Sequence, residues 1–189
     1  AAILAGMCAG ALITGNTVII KPASDTPIIG YKIVEIMLEA GIPNGVLNFV
    51  PGSGLEIGKT IIENKQVAGI VFTGSREVGY KLMSESSKTR PRPVIAELGG
   101  KNATIVADSA NLDKAAEGVA KAAFSFSGQK CSACSRVFVQ KKVKTQFLSK
   151  LIEKTKKLSV ANPKERESFM GPVINLNAYN NFKRYSKLA

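Results

Sequence analysis

The sequence predicts an α/β protein built on a parallel sheet, and three observations carry that prediction. Short, apolar, β-branched runs recur at residues 17–20, 46–50, 69–72 and 93–97. Each has few polar residues, as expected of strands covered on both faces rather than one. Helical stretches separate them, and Gly-containing turns join strand to helix, the pattern of right-handed parallel crossovers.

Taken in order, residues 1–13 read as a buried helix stopped by Thr14-Gly15-Asn16. This apolar start lacks the basic lead of a signal peptide and runs straight into the α/β pattern. Strand 17–20 follows. Thr26-Pro27 then opens a helix to about residue 40, with a hydroxyl cap and proline in the first turn. Strand 46–50 turns at Pro51-Gly52-Ser53-Gly54 into a helix through residue 63. Strand 69–72 turns at Thr73-Gly74-Ser75 into a helix over 76–86, and strand 93–97 closes the first half as the fourth strand of one sheet. In the second half, a strand at 102–106 precedes a helix ending near residue 125, then a loop carrying Cys131 and a strand at 137–139. Residues 143–158 are amphipathic, with Phe147, Leu148, Leu151, Ile152 and Leu158 set against a Lys-rich face. A last helix is expected at 177–188. The domain boundary is expected at Gly99-Gly100, giving domains 1–98 and 99–189.

Composition narrows the class. At 45% hydrophobic and 21% charged over 189 residues, the chain has the make-up of a soluble globular protein with one substantial core or two small ones. No run approaches a membrane span. The net charge of +12 is concentrated among lysines of the tail, residues 141–187. No nucleic-acid motif accompanies it, so solvated helix faces explain it better than nucleic-acid binding. Its milder consequence is attraction of anionic small molecules. Three cysteines without a signal peptide argue for a reducing, cytoplasmic setting. The absence of histidine removes Ser-His and Cys-His nucleophile pairs, so any general base must be a carboxylate, Lys, Tyr or thiolate.

Two glycine-rich turns invite a nucleotide reading and fall short of it alone. Gly52-x-Gly54-x-x-x-Gly58 misses the dinucleotide spacing by one, and no Lys-Ser/Thr follows Gly74-x-x-x-x-Gly79. Glu97 ends an apolar strand directly before Leu98-Gly99-Gly100, where partial burial would tune a carboxylate toward general-base work. Cys131 lies in a loop opening with glycine, 34 residues beyond Glu97. A thiol in such a loop and a carboxylate at a strand end suit covalent catalysis followed by water activation. The competing readings of Cys131 are a buried structural thiol and, through Cys131-Ser132-Ala133-Cys134, redox or zinc chemistry. Zinc would need further ligands, and only Cys8 remains. Cys8 and Cys134 are expected to serve packing, and Lys101 and Asn102 to pin the turn after the glycines. No metal is expected.

Glu97-Leu98-Gly99-Gly100-Lys101, correctly spaced from Gly128-Gln129-Lys130-Cys131, resembles the signature of the NAD(P)-dependent aldehyde dehydrogenases. The stretch Gly128 to Arg136, with Lys101-Asn102-Ala103, is most similar to the pyrroline-5-carboxylate (glutamate semialdehyde) dehydrogenase branch, enzymes of proline catabolism. The resemblance covers nearly the whole chain, fades after Pro172, and looks like the middle portion of a longer protein. It implies a Rossmann-like sheet followed by part of an α/β catalytic domain. It implies Cys131 as nucleophile, Glu97 as the base that activates water, and Ser132 as a contact to a substrate carboxylate. It implies NAD or NADP as cofactor, held by Lys21, Ser24, Gly52, Phe72, Gly74, Ser75, Val78, Leu98 and Gly99. Ser24 stands where NAD-preferring members often carry Glu, which leaves NAD and NADP both open. The partners implied are a small aldehyde and further copies of the chain in a homo-oligomer. A non-catalytic nucleotide-binding remnant is the alternative.

Overall fold

The computed structural model describes residues 2–188, without the side chain of Thr89. It divides into two compact units, Ala1–Glu97 and Leu98–Ala189.

In the first unit, helix α1 (Ala2–Ile13) leads to strand β1 (Val18–Ile20), and helix α2 (Pro27–Glu39) crosses to strand β2 (Leu47–Phe49). The two strands pair in parallel, Val18 opposite Leu47 and Ile20 opposite Phe49. The stop after α1 uses Gly15 at φ +81, a left-handed setting that costs glycine little. Its N–H donates to the Leu12 carbonyl, and the Asn16 N–H to that of Ala11. Cys8, Ile20, Val34 and Leu47 form the core between the helices and the strand pair, lined by Leu4, Val18, Met37 and Phe49. Helix α2 comes close enough that a Cβ on Gly30 would stand 3.0 Å from Pro22 Cβ and 3.3 Å from the Phe49 ring. Thr26 sits at the N-cap position of α2, but its side chain makes no cap hydrogen bond, contrary to the sequence expectation. Pro27 at N1 does the starting.

Helix α3 (Gly54–Glu63), strand β3 (Ile70–Thr73), helix α4 (Arg76–Thr89) and strand β4 (Val94–Glu97) complete this unit. Strands β3 and β4 also pair in parallel, Ile70 opposite Val94 and Thr73 opposite Glu97. Ser53 and Ser75 cap α3 and α4, accepting from the N–H groups of Glu56 and Val78. Arg92, just before β4, spreads its guanidinium over the carbonyls of Ile62, Asn64 and Val67 where α3 ends. The expected single four-stranded sheet is therefore corrected to two parallel pairs, β1–β2 and β3–β4. Each pair closes locally through the helix between its own strands. Hydrophobic periodicity identifies strands and says nothing of which edges meet.

The second unit is built on strands β5 (Asn102–Val106) and β6 (Cys134–Val139), again parallel. Strand β6 begins at Cys134, three residues before the strand expected from sequence. Helices α5 (Leu112–Phe124) and α6 (Lys144–Lys156) pack on the pair, burying Val106, Ala116, Val119 and Phe147. Asn111 caps α5. Lys150 of α6 reaches Asp113 of α5 at 2.8 Å and, by that hydrogen bond, holds its carboxyl below the usual range. Between α5 and β6 runs a 3-10 turn (Ser125–Gly128) and then the Cys131 loop. A bridge between Val160 and Met170 closes the segment leading to helix α7 (Leu176–Ser186).

Candidate active site

Three of the sequence-predicted residues meet at the C-terminal ends of β1 and β2, where parallel α/β sheets present ligand sites. Lys21 Nζ donates to the Gly52 carbonyl at 3.1 Å and to the carbonyl of Pro22. Ser24 Oγ donates to the same Gly52 carbonyl at 3.4 Å. Gly52 has φ +150, and a Cβ there would lie 2.4 Å from Ile57 Cδ1, so no other residue fits unchanged. Beside it a groove of about 300 Å³ opens against α3, lined by Ile19, Val50, Ile57, Thr60, Ile61 and Val67.

A second group follows β3. The Gly74 N–H donates to the Glu97 carbonyl at 3.1 Å, tying the turn to the end of β4. The Phe72 ring folds over Gly74, where a Cβ would meet its Cζ at 2.5 Å. Ser75 Oγ accepts from the Val78 N–H at 3.3 Å, so this hydroxyl starts α4 while its own proton stays available to a ligand. Val78, in the first turn, is exposed. The N–H groups and positive dipole end of a helix start suit an anion at this turn.

Glu97 is exposed, which corrects the expected partial burial. Strand alternation explains it: Val94 and Ala96 turn inward, Ile95 and Glu97 outward.

In the second unit, Leu98 is half-buried, and Gly99 has open space around its Cα. Cys131 and Ser132 are both exposed, whereas Cys134 is half-buried in β6 with its Sγ 3.2 Å from Thr104 Oγ1. The 3-10 turn ends at Gly128, and a strand follows. That turn carries Phe126, Ser127 and Gly128 at φ +53, +57 and +70, a left-handed run that costs energy at the two non-glycines. Ser127 Oγ donates to the Gly171 carbonyl at 3.1 Å and so ties it down. Cys8, in the first unit, is buried, and burial raises its thiol pKa. Among the described residues no three His, Cys, Asp or Glu side chains converge as metal ligands. No helix among them is long and apolar enough to cross a membrane.

Sequence reasoning missed what Asn102 and Gly100 do. Asn102 Nδ2 donates to the Cys131 carbonyl at 2.7 Å, so it holds the cysteine loop and not merely its own turn. The double glycine was the available sign of a close approach, but it did not reveal what approaches.

The first unit carries a carboxylate-ended strand and a serine-capped helix start at the β3 turn, and the second carries an exposed cysteine in a glycine-opened loop. The chain belongs to the aldehyde dehydrogenase family, whose sequence profile matches residues 1–189. It is 48% identical over 192 residues to a 1-pyrroline-5-carboxylate dehydrogenase of Geobacillus kaustophilus (strain HTA426), covering 99% of this chain and 37% of that relative. It is 43% identical over 192 residues to the protein of the same name from Bacillus subtilis (strain 168), with the same coverage of 99% and 37%. Among solved structures, it superimposes on proline utilization A from Bdellovibrio bacteriovorus with TM-score 0.94 at 40% identity, covering 100% of this chain and 20% of that one. A 1-pyrroline-5-carboxylate dehydrogenase from Thermus with bound NAD gives TM-score 0.90 at 40% identity, covering 97% and 36%. The fold is thus the α/β, Rossmann-like fold of aldehyde dehydrogenases. The chain spans 37% of the length of these curated relatives.

Proposed function

We propose that this chain is the middle portion of an NAD(P)+-dependent aldehyde dehydrogenase acting on glutamate semialdehyde, the open form of pyrroline-5-carboxylate. In this reading residues 1–98 bind the dinucleotide and residues 99–189 begin the catalytic domain. The observation that carries it is the exposed Cys131, held by its own carbonyl in a loop that opens with Gly128. The similarity to named 1-pyrroline-5-carboxylate dehydrogenases supports the choice of substrate.

The residues present fit a dinucleotide. Lys21 and Ser24 converge on Gly52 beside an apolar groove suited to a flat ring. The Ser75-capped start of α4 suits a pyrophosphate, with Phe72, Gly74 and Val78 in the same turn, and Leu98 and Gly99 are proposed as further cofactor contacts. When bound, NAD(P)+ supplies the hydride acceptor. Cys131 thiolate attacks the aldehyde carbon, and its backbone N–H steadies the oxyanion that forms. Loss of hydride leaves the acyl group on sulfur as a thioester. Glu97 then takes a proton from water, whose attack releases the acid and restores the thiol. Ser132, next to the nucleophile, donates to the substrate's own carboxylate. With 37% of the relatives' length, the isolated chain is expected to bind the dinucleotide weakly and turn over little.

Two measurements test this. Titration of the 189-residue chain with NAD+ and NADP+ is expected to show weak saturable binding that Lys21→Ala abolishes. In a chain of the relatives' full length carrying these residues, Glu97→Gln is expected to keep the first-turnover burst of reduced cofactor and stall steady-state turnover. Turnover that survives Cys131→Ala would overturn the reading.

A further inference from the structure

We propose that Asn102 is a positioning residue for Cys131, gripping the nucleophile's own peptide through a side-chain hydrogen bond and a glycine-only backbone approach. The inference rests on the reading of Cys131 as nucleophile. Two observations converge on one carbonyl, and two more concern the backbone that holds it. Asn102 Nδ2 lies 2.7 Å from the Cys131 oxygen, across 29 residues of chain. A Cβ on Gly100 would stand 2.5 Å from that same oxygen and 3.1 Å from Asn102 Nδ2, so any side chain at 100 would push the loop away. Between them, the Lys101 carbonyl accepts from Arg136 Nε at 3.2 Å and Nη2 at 2.7 Å, a fork that fixes this backbone from the opposite strand. The β5–β6 register also slips here. Asn102 faces Cys134 while Ala103 faces Arg136, leaving Ser135 as the extra residue of a bulge. Bulges re-aim side chains, and this one lies on β6 opposite Asn102, the residue that reaches Cys131.

The consequence is geometric. A trans peptide carries C=O and N–H on opposite sides. Holding the Cys131 oxygen against Gly100 and Asn102 sends the Ser132 N–H the other way and fixes the Cys131 backbone. That restraint narrows the range over which the thiol can swing. A nucleophile misplaced by about 1 Å loses on the order of a hundredfold in rate, so this grip has work to do.

The test compares Asn102→Ala, Asn102→Asp and Gly100→Ala in the 189-residue chain. The probe is 4,4′-dithiodipyridine, which reacts with thiols from acid to neutral pH. Rates are read for each cysteine by peptide mass mapping, beside a thermal melt. Asn102→Ala and Gly100→Ala are expected to accelerate Cys131 by about three- to tenfold at every pH, the worth of one hydrogen bond. Cys8 and Cys134 should keep their rates. Asn102→Asp has the same shape but no donor while ionised. It is expected to match Asn102→Ala at neutral pH and to return to the unsubstituted rate in acid, where the protonated carboxyl again donates. An unchanged Cys131 rate in Asn102→Ala and Gly100→Ala would overturn the proposal. So would Asn102→Asp behaving like the unsubstituted chain at neutral pH, or equal acceleration of all three thiols. These rates are independent of turnover, so they stand or fall apart from the test of Cys131 as nucleophile.

Discussion

Gly52 carries three constraints at once. Its carbonyl receives Lys21 and Ser24, its φ of +150 excludes ordinary side chains, and Ile57 fills the place of its missing Cβ. Gly52→Ala is therefore expected to destabilise the chain by about 1–3 kcal/mol and to weaken dinucleotide binding, because the acceptor that gathers Lys21 and Ser24 must move. Thermal denaturation and a titration on the same preparation check both. An unchanged melt would mean that Ile57 yields without cost. The sequence showed a glycine in a near-miss motif, and only the folded chain showed which neighbours require it. Glu97 teaches the reverse: its strand position was legible, but its burial was not. Burial depends on which face of the pair the alternation turns outward.

At the scale of elements, Arg92 is the clearest tie. It stands between Pro91 and Pro93 and reads in sequence as a linker residue. In the fold it donates to the carbonyls of Ile62, Asn64 and Val67, at and just beyond the end of α3. Arg92→Ala is expected to cost about 1–3 kcal/mol, since hydrogen bonds from a charged donor are lost and those to Ile62 and Val67 are part-buried. Arg92→Lys should recover only part, because an ammonium cannot fork over three carbonyls. Chemical denaturation of the three proteins measures this, and equal stability of the arginine and alanine forms would refute it. The serine caps at Ser53 and Ser75 and the asparagine cap at Asn111 follow rules readable from sequence. The Arg92 clamp follows from a contact 25 to 30 residues away.

At the scale of the whole molecule, the first unit exposes Ile3, Ile13, Ile19, Ile28, Ile36, Val71 and Ile95. Its charges nearly cancel: residues 1–97 carry 9 basic and 8 acidic side chains, against 17 and 6 in residues 98–189. Exposed apolar surface with little net charge favours association. The chain is expected to self-associate at ~10–100 µM and to bind a hydrophobic dye strongly. Sedimentation velocity across concentration checks this, and a 20.1 kDa monomer throughout would contradict it. Higher salt should not dissolve the association, since the surface responsible is apolar.

The sequence by itself determined the alternation of strand and helix, most element boundaries to within a few residues, and the family, through Glu97 to Lys101 and Gly128 to Cys131. These are local matters of periodicity, turn chemistry and motif spacing, so a linear reading reaches them. Tertiary structure alone decided that the first four strands form two pairs, that β6 begins at Cys134, and that Glu97 faces outward. It alone brought Lys21 and Ser24 onto Gly52, and Asn102 onto the carbonyl of Cys131. The reason is physical: a strand's neighbour and a donor's acceptor are chosen by close packing between segments far apart in the chain, and hydrophobic periodicity carries no record of that choice.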